Sequence, residues 1–311
     1  MQKNLVSRTS NVESDLTQDT DYDRLVKEEI EEYSNIEITE DLREGGIHAH
    51  DSWAYWFQFL ARKWGTFLKQ EIVEFCESRH NPRILSLGCG YGGVELSIAD
   101  SLKRPFEMLG LDLNESILES PRAVALRKNL PIRFQVMDIN FLAIAEGEFD
   151  VVMAHASLHH LLNLEHVFQQ IQKGLKDDGV LVVQDIIGKT QVLFWKENVE
   201  FTQELVRSLP SRLTKGVTIP PYVEPELQIG MEGIRQEEIE EQIDLLFKPV
   251  RTFHYGSFMR LICTHPVLGK RLNPDDEQDR EILDHLCRLD LKQIEDGILR
   301  PTEVLGVYSK R

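Results

Sequence analysis

The amino-acid sequence predicts an α/β fold, a doubly wound, mainly parallel sheet with helices on both faces. Three observations lead to this prediction. Short apolar runs alternate with helix-like stretches between Arg83 and Ile186. The helix-like stretches carry apolar residues three and four positions apart, as in Val167, Phe168 and Ile171. A glycine-rich turn follows the first run. This alternation is typical of parallel strands joined by crossover helices.

The individual elements follow from the same pattern. The predicted strands are 83–87, 106–111, 132–137, 149–154 and 180–186, and the helices between them are 94–102, 121–129 and 165–175. Pro121 predicts that the helix after the second strand restarts there, with Ser120 as its cap.

Two segments precede this core. Residues 1–46 are acidic and predicted to be partly disordered, with a short amphipathic helix over 22–32 whose charges face solvent. In residues 47–80 the apolar positions recur every three or four residues, which predicts an aromatic helix; Trp53, Trp56 and Phe57 are among these positions. That aromatic stripe is either packed in the core or closes over a ligand.

The alternation breaks after Ile187. Residues 189–247 form a long insertion containing scattered prolines and aromatic residues, which we expect to be a lid over the substrate. The core is therefore predicted over 81–188 and 248–311. Its last part carries a strand-like run over 250–262, a helix near 280–294 and a final strand over 303–308.

Composition excludes several classes of function. The formal net charge of −17 repels phosphate backbones, so nucleic acid is not the expected partner. The four cysteines form no CxxC pair, which disfavours a zinc site or a disulfide framework. The chain shows neither a secretory signal nor an apolar run of about 20 residues, so we expect a cytoplasmic protein without a membrane anchor.

The glycine-rich turn is the first candidate site. Gly88, Gly90 and Gly92 fit a GxGxG loop, but Gly88, Gly90 and Gly93 also fit the dinucleotide pattern GxGxxG. Asp112 ends the second strand, where a carboxylate can accept hydrogen bonds from ribose hydroxyls. The loop and Asp112 together therefore indicate a nucleotide cofactor without identifying it.

Later motifs favour one of the two cofactors. The ordered segments GCGYG, LGLD, VMDI, FDVVMAHASLHHL and LKDDGVLVV, spanning about residues 83–185, resemble the successive motifs of class I S-adenosylmethionine-dependent methyltransferases. The resemblance is to the small-molecule enzymes with a type 11/12-like domain. It implies a Rossmann-like seven-stranded sheet whose last strand is antiparallel, and S-adenosylmethionine as the cofactor.

The resemblance also implies roles for individual residues. The glycines pass close to the methionine part of the cofactor, Asp112 holds the ribose, and Asp138 recognises the adenine amine. The complete set of implied cofactor-binding residues is Gly88, Gly90, Gly92, Asp112, Leu113, Asp138, Ile139, Ala154 and His155. The sequence departs from the family at Ser86, because many relatives carry there an acidic residue that helps to hold the cofactor's amino group.

The protein mainly has to align the acceptor's nucleophile with the methyl carbon and the sulfur, since a sulfonium methyl group is already activated for in-line displacement. A hydroxyl or ammonium acceptor must also lose a proton, and histidine suits that role at neutral pH. His155, just after the fourth strand, is the preferred catalytic residue and His159 is the second candidate, although the neighbouring pair His159 and His160 is expected to be structural. No motif indicates a metal ion.

Three interpretations of function follow. The first is methyl transfer to a small organic acceptor at oxygen, nitrogen or carbon. The second is a catalytically silent protein that binds S-adenosylmethionine as a sensor or partner subunit, and the third is an NAD-dependent dehydrogenase. The acceptor and the oligomeric state are left open by the sequence.

Overall fold

The computed structural model describes residues 20–34, 50–191, 193–224 and 230–311. Of residues 1–46, which are predicted to be partly disordered, the structure describes 20–34, and the rest lie outside the described residues. The described residues form seven strands: β1 (Arg83–Leu87), β2 (Glu107–Asp112), β3 (Ile132–Val136), β4 (Phe149–His155), β5 (Leu175–Ile186), β6 (Phe247–Tyr255) and β7 (Glu303–Lys310).

One sheet contains all seven strands in the order β3-β2-β1-β4-β5-β7-β6. The first five pair in parallel, and β7 lies antiparallel between β5 and β6. The chain order reverses between β1 and β4, and ligands of open α/β sheets bind outside the carboxyl ends of the strands at such a point. The predicted fold, including the antiparallel last strand, is confirmed.

Twelve α-helices surround this sheet in the described part of the chain. They are α1 (Thr20–Ser34), α2 (Asp51–Trp64), α3 (Leu68–Glu77), α4 (Gly93–Ala99), α5 (Glu115–Lys128), α6 (Leu164–Gly174), α7 (Lys196–Ser208), α8 (Ser211–Thr214), α9 (Ile239–Leu246), α10 (Met259–Thr264), α11 (Leu268–Arg271) and α12 (Glu277–Glu295). No helix among these residues is long and apolar enough to cross a membrane.

The two faces of the sheet bury separate cores because side chains alternate along each strand. Ile84 of β1 joins one core with α2 to α5, α7 and the helices between β6 and β7. Leu85 joins the other core with α6 and α9. Ser86 therefore points to the same face as Ile84, the face on which α4 follows the glycine loop.

The aromatic segment forms two helices instead of one. Gly65 ends α2 in a left-handed conformation (φ 72°), which glycine adopts without steric cost. Trp56 is fully buried and packs edge-on against Tyr255, with ring centroids 5.7 Å apart. The structure thus favours core packing over ligand closure for the centre of this stripe.

Two further expectations are wrong. The predicted strand over 250–262 ends at Tyr255 and gives way to α10, because the chain turns at Gly256 (φ 79°). Helix α5 does not restart at Pro121 but runs through it, and its cap is Asn114, whose side chain accepts the Ser116 amide. Pro121 is buried against the glycine loop, and this packing compensates for the missing hydrogen bond.

Candidate active site at the carboxyl edge of the sheet

The three glycines of the loop serve different purposes. Each has a positive φ, between 51° and 71°. A Cβ on Gly88 would lie 2.4 Å from Ser157, and one on Gly92 would lie 2.6 Å from Pro121, so these two glycines allow close packing. A Cβ on Gly90 would meet no atom within 4 Å, so this glycine borders open space. Gly90 is therefore where the backbone is most accessible to a ligand.

Asp112 lies directly beside the loop. Its carboxylate accepts the amide N–H of Gly90 at 2.8 Å and that of Asn114 at 2.9 Å. Burial raises the pKa of Asp112, and these two amide donors partly oppose the shift. The hydrogen bonds fix the carboxylate at the end of β2, next to the open side of Gly90. Leu113, the predicted adenine contact, follows it and is half-buried.

Asp138 follows β3 and caps the short 3₁₀ turn Ile139–Phe141, accepting the Asn140 amide at 3.0 Å. Its other oxygen accepts the hydroxyl of Tyr22 from α1 at 2.5 Å. Burial, together with Asp138, raises the pKa of the Tyr22 phenol far above its usual value. The carboxylate predicted to recognise adenine is therefore already hydrogen-bonded to a helix that precedes the core. Ile139 beside it is buried in the core.

Helix α1 lies across this edge of the sheet. The Asn114 side chain donates to the Ile30 carbonyl at 3.2 Å, and the Tyr91 hydroxyl donates to the Tyr33 carbonyl at 2.8 Å. Glu29 lies 2.9 Å from His160 Nδ1. The predicted helix is present, but Glu29 contacts the candidate site instead of facing solvent. The sequence placed this helix before the core and gave no sign of where it would dock.

The end of β4 presents the first predicted catalytic residue. Ala154 is fully buried, and the next residue, His155, is partly exposed. Ala156 then turns the chain with φ 49°, an uncommon value for a residue with a side chain. Burial lowers the pKa of His155 despite the opposing charge of Asp185, which favours the neutral imidazole.

His159, the second predicted catalytic residue, forms a buried dyad with Asp185. Its Nδ1 lies 2.6 Å from Asp185 Oδ1. The other oxygen of Asp185 accepts the amides of Ser157 at 2.9 Å and Leu158 at 2.8 Å. Burial alone would raise the pKa of Asp185, but His159 and these amides outweigh it, and the pKa lies below its usual value.

The insertion reaches these histidines through Glu232. One Glu232 oxygen lies 3.6 Å from His159 Nε2, and the other lies 3.4 Å from His160 Nε2. The amide of Ile234 also donates to the His159 carbonyl at 3.1 Å. Burial lowers the pKa of His160, but Glu29 and Glu232 more than reverse this, so its pKa is raised. No sequence pattern connects Glu232 with the histidines, because more than 70 positions separate them.

A second residue that the motifs missed lies beneath the loop. Glu95 of α4 is 2% exposed, and its Oε1 accepts the hydroxyl of Ser86 at 2.6 Å. Its Oε2 has no hydrogen-bond partner. Burial raises the pKa of Glu95 to about 7. The spacing of Ser86 and Glu95 across the loop is visible in the sequence, but only the fold shows their contact.

The sheet order and the site at its carboxyl edge together define a class I S-adenosylmethionine-dependent methyltransferase. The chain belongs to the methyltransferase-domain family, whose profile matches residues 78–242. This match confirms the predicted enzyme class and S-adenosylmethionine as the cofactor, and it favours a GxGxG interpretation of the loop over the dinucleotide pattern. The contacts of individual residues with the cofactor stay predictions.

Curated relatives share this domain at low identity. Phosphoethanolamine N-methyltransferase 1 of Triticum aestivum is 25% identical over 116 residues, 37% of this chain and 23% of that protein. The 27-O-demethylrifamycin SV methyltransferase of Amycolatopsis mediterranei is 25% identical over 57% of this chain and 63% of its own. The ubiquinone/menaquinone biosynthesis C-methyltransferase of Stutzerimonas stutzeri is 26% identical, with 58% and 65% covered.

The chain thus spans from about a quarter to about two thirds of these relatives' lengths. Among solved structures, an S-adenosylmethionine-dependent methyltransferase from Mesorhizobium loti aligns with a TM-score of 0.45 and 16% identity. That alignment covers 79% of this chain and 99% of the other.

Proposed function

We propose that this protein transfers the methyl group of S-adenosylmethionine to a small organic acceptor, with His159 as the group that removes the acceptor's proton. The observation that carries the proposal is the buried His159–Asp185 dyad, with its Nδ1···Oδ1 distance of 2.6 Å. The dyad lies just beyond the carboxyl end of β4, where open α/β sheets bind their ligands.

Asp185 determines which nitrogen of His159 is free. An ionised carboxylate only accepts hydrogen bonds, so Nδ1 must carry the proton and donate to Asp185. Nε2 then has a lone pair and faces Glu232 and the edge of the sheet. The carboxylate also stabilises the imidazolium that forms when Nε2 takes a proton. This arrangement favours His159 over His155 as the base, because no carboxylate among the described residues hydrogen-bonds to the His155 ring.

The cofactor supplies an activated methyl group, so the chain's own residues bind, orient and exclude water. Gly90 offers open space for the methionine part, and Asp112 presents an oriented carboxylate to the ribose. Helix α1 and the segment around Glu232 lie over the same edge and shield it from solvent. Within the insertion, the segment around Glu232 serves as the lid on the acceptor side, whereas α7 and α9 pack into the two cores.

The relatives support a small organic acceptor but not a particular atom. They are named for transfer to the nitrogen of phosphoethanolamine, to an O-demethylated rifamycin and to carbon in quinone biosynthesis. Each of these nucleophiles is, or becomes, stronger on losing a proton, which is the step that His159 would serve. We therefore place the acceptor among amines, phenols and enolisable compounds.

The test separates binding from transfer. Calorimetry should show that S-adenosylmethionine and S-adenosylhomocysteine bind while NAD does not. Formation of S-adenosylhomocysteine is then measured with panels of amines, phenols and quinols, for the wild type, His159→Ala and the control His285→Ala, which alters an exposed histidine of α12. Turnover lost only in His159→Ala supports the proposal. Binding of NAD alone would overturn it, and cofactor binding without turnover would favour the silent sensor.

The histidine cluster also favours a second candidate, metal-assisted transfer. The separations of 3.6 Å and 3.4 Å between Glu232 and the two Nε2 atoms are too long for hydrogen bonds. They are close to the spacing of about 3.3 Å between ligands around a tetrahedral zinc ion. Among the described residues, one ligand atom each from His159, His160 and Glu232 lies within 4.8 Å of the others, so this group could hold a metal ion.

Metal analysis decides between the two candidates. If the purified protein holds a stoichiometric divalent metal, and both the metal and turnover are lost in Glu232→Gln, His159 is a ligand and cannot be the base. Turnover that is unaffected by chelators supports the base.

A further inference from the structure

All but one of the buried carboxylates in the described part of the chain have one of two kinds of environment. Five of them face a cationic or histidine partner: Glu71 with Arg251, Asp150 with Lys176, Asp185 with His159, Asp279 with Arg212 and Glu303 with Arg260. Asp290 faces no cation but accepts the amides of Gly256, Phe258 and Met259 and the hydroxyl of Ser257. Glu95 has neither kind of environment.

Neither protonation state of Glu95 is satisfied within the protein. When it is ionised, its one side-chain donor is the hydroxyl of Ser86, and Oε2 has no partner among the described residues. When it is protonated, Oε1 can donate its proton to Ser86 Oγ, but Oε2 still has no partner. A buried polar atom left without a partner costs free energy, so a water molecule or a group of a bound ligand that reached Oε2 would stabilise the site.

The location identifies that group. Glu95 lies in the first turn of α4, directly after the glycine loop, and contacts Ser86 of β1 directly before it. S-adenosylmethionine carries an ammonium group on its methionine part, which the loop faces under the function proposed above. We propose that Glu95, held by Ser86, is the anionic subsite for this ammonium group, and so replaces an acidic residue at position 86.

Among the described residues, no neighbouring cation competes for Glu95. Helices α3 and α5 pack against α4. Lys69 of α3 donates to Ser97 at 2.9 Å, and Arg122 of α5 pairs with Glu115 at 2.7 Å. The remaining groups that face Glu95 are the thiol of Cys89 and the carboxylate of Asp112, and Asp112 makes ionisation of Glu95 harder. An incoming ammonium would be the first cation to reach this carboxylate.

Binding should therefore release a proton. Glu95 has a raised pKa near neutrality in the free protein, and an ammonium beside it lowers that pKa. The proton that Glu95 loses then leaves to the buffer. Calorimetry of the wild type at pH 7 in two buffers of different ionisation enthalpy measures this release without any substitution.

The decisive comparison uses two ligands, S-adenosylhomocysteine and its analogue without the amino group. We expect Glu95→Gln to weaken the binding of S-adenosylhomocysteine at least tenfold and to change the affinity for the analogue less than twofold. Glu119→Gln, at an exposed position of α5, should change neither affinity. In the wild type, proton release at pH 7 should be smaller with the analogue than with S-adenosylhomocysteine.

A reciprocal exchange sharpens the test. Ser86→Asp combined with Glu95→Ser returns the acid to the strand and should recover most of the lost affinity, with thermal unfolding as the check on folding. Equal weakening of both ligands by Glu95→Gln, or no weakening of either, would overturn the inference. If the wild type does not bind S-adenosylhomocysteine, the proposed function itself fails, and the two failures are thus distinguishable.

Discussion

Asp185 and Glu95 are two buried carboxylates at the same edge of the sheet, and they differ in how completely the protein surrounds them. Asp185 accepts from His159 and the amides of Ser157 and Leu158, and its pKa is lowered in spite of burial. Glu95 accepts from one side chain, that of Ser86, and burial raises its pKa although Ser86 and the residue's own amide oppose the shift. Asp185 is ready to orient a base before any ligand arrives. Glu95 is completed only when a cation binds.

The largest expected effect is on Asp185. Asp185→Asn keeps the shape but allows the amide to donate to Nδ1, which selects the tautomer with the proton on Nε2. We expect turnover to fall by about 10²- to 10⁴-fold, the range assigned to general acid–base catalysis, while cofactor affinity changes little. Single-turnover rates beside calorimetric affinities provide the measurement. Loss of affinity equal to the loss of rate would make the dyad a structural feature and weaken the comparison.

The second prediction concerns stability and applies to Glu95. Its folded pKa of about 7 lies above that of an unfolded glutamate, so the folded state binds more protons between these values. The stabilising effect of this group is complete in acid and is lost as the pH rises through 7. Glu95→Gln should therefore stabilise the ligand-free protein at pH 8 by up to roughly 3 kcal/mol relative to the wild type, with little effect at pH 4.

Chemical denaturation at several pH values checks this expectation. A gain in stability for Glu95→Gln that is independent of pH would show that Glu95 does not titrate in the folded state. Saturating S-adenosylhomocysteine should reduce or reverse the stability gain of Glu95→Gln, because the wild-type carboxylate is then paired with the ligand's ammonium group.

Much of this site was predictable from the sequence, and the exceptions share a cause. Strand ends and turns are local, so Gly90, Asp112 and His159 could be placed at one edge from the motif order alone. Glu232 and Tyr22 reach that edge from segments more than 70 positions away from the residues they contact, and no local pattern encodes such docking. Pro121 shows the same limit, because α5 continues through it while it packs against the glycine loop, whereas the turn at Gly256 that ends β6 is a local signal.

The third prediction tests the ribose assignment and is smaller. Asp112→Asn removes the charge and keeps one oxygen that can accept the Gly90 amide, while the acceptor for the Asn114 amide is lost. A hydrogen bond to a charged group is worth about 1.5–3 kcal/mol, so cofactor affinity should fall by at least about tenfold. Calorimetry with S-adenosylhomocysteine measures the change, and an affinity within twofold of the wild type would mean that Asp112 serves the loop alone.

The smallest effect is expected at Tyr22, which lies outside both buried carboxylate sites but touches the predicted adenine contact. Its hydroxyl donates a hydrogen bond to Asp138 Oδ2, while Asp138 Oδ1 accepts the Asn140 amide. If the adenine amine binds Asp138, it must displace or share the Tyr22 hydrogen bond. Tyr22→Phe removes this competitor and keeps the ring against Phe141, whose centroid lies 5.6 Å away.

We therefore expect Tyr22→Phe to strengthen cofactor binding by a few-fold, in keeping with the net value of about 0.5–1.5 kcal/mol for one hydrogen bond. A weaker affinity would instead show that Tyr22 helps to hold the cofactor, with α1 acting as part of the binding surface. In that case α1, like Asp185, is already in its binding arrangement before the ligand arrives. A stronger affinity would mean that α1, like Glu95, changes its partners when the cofactor binds.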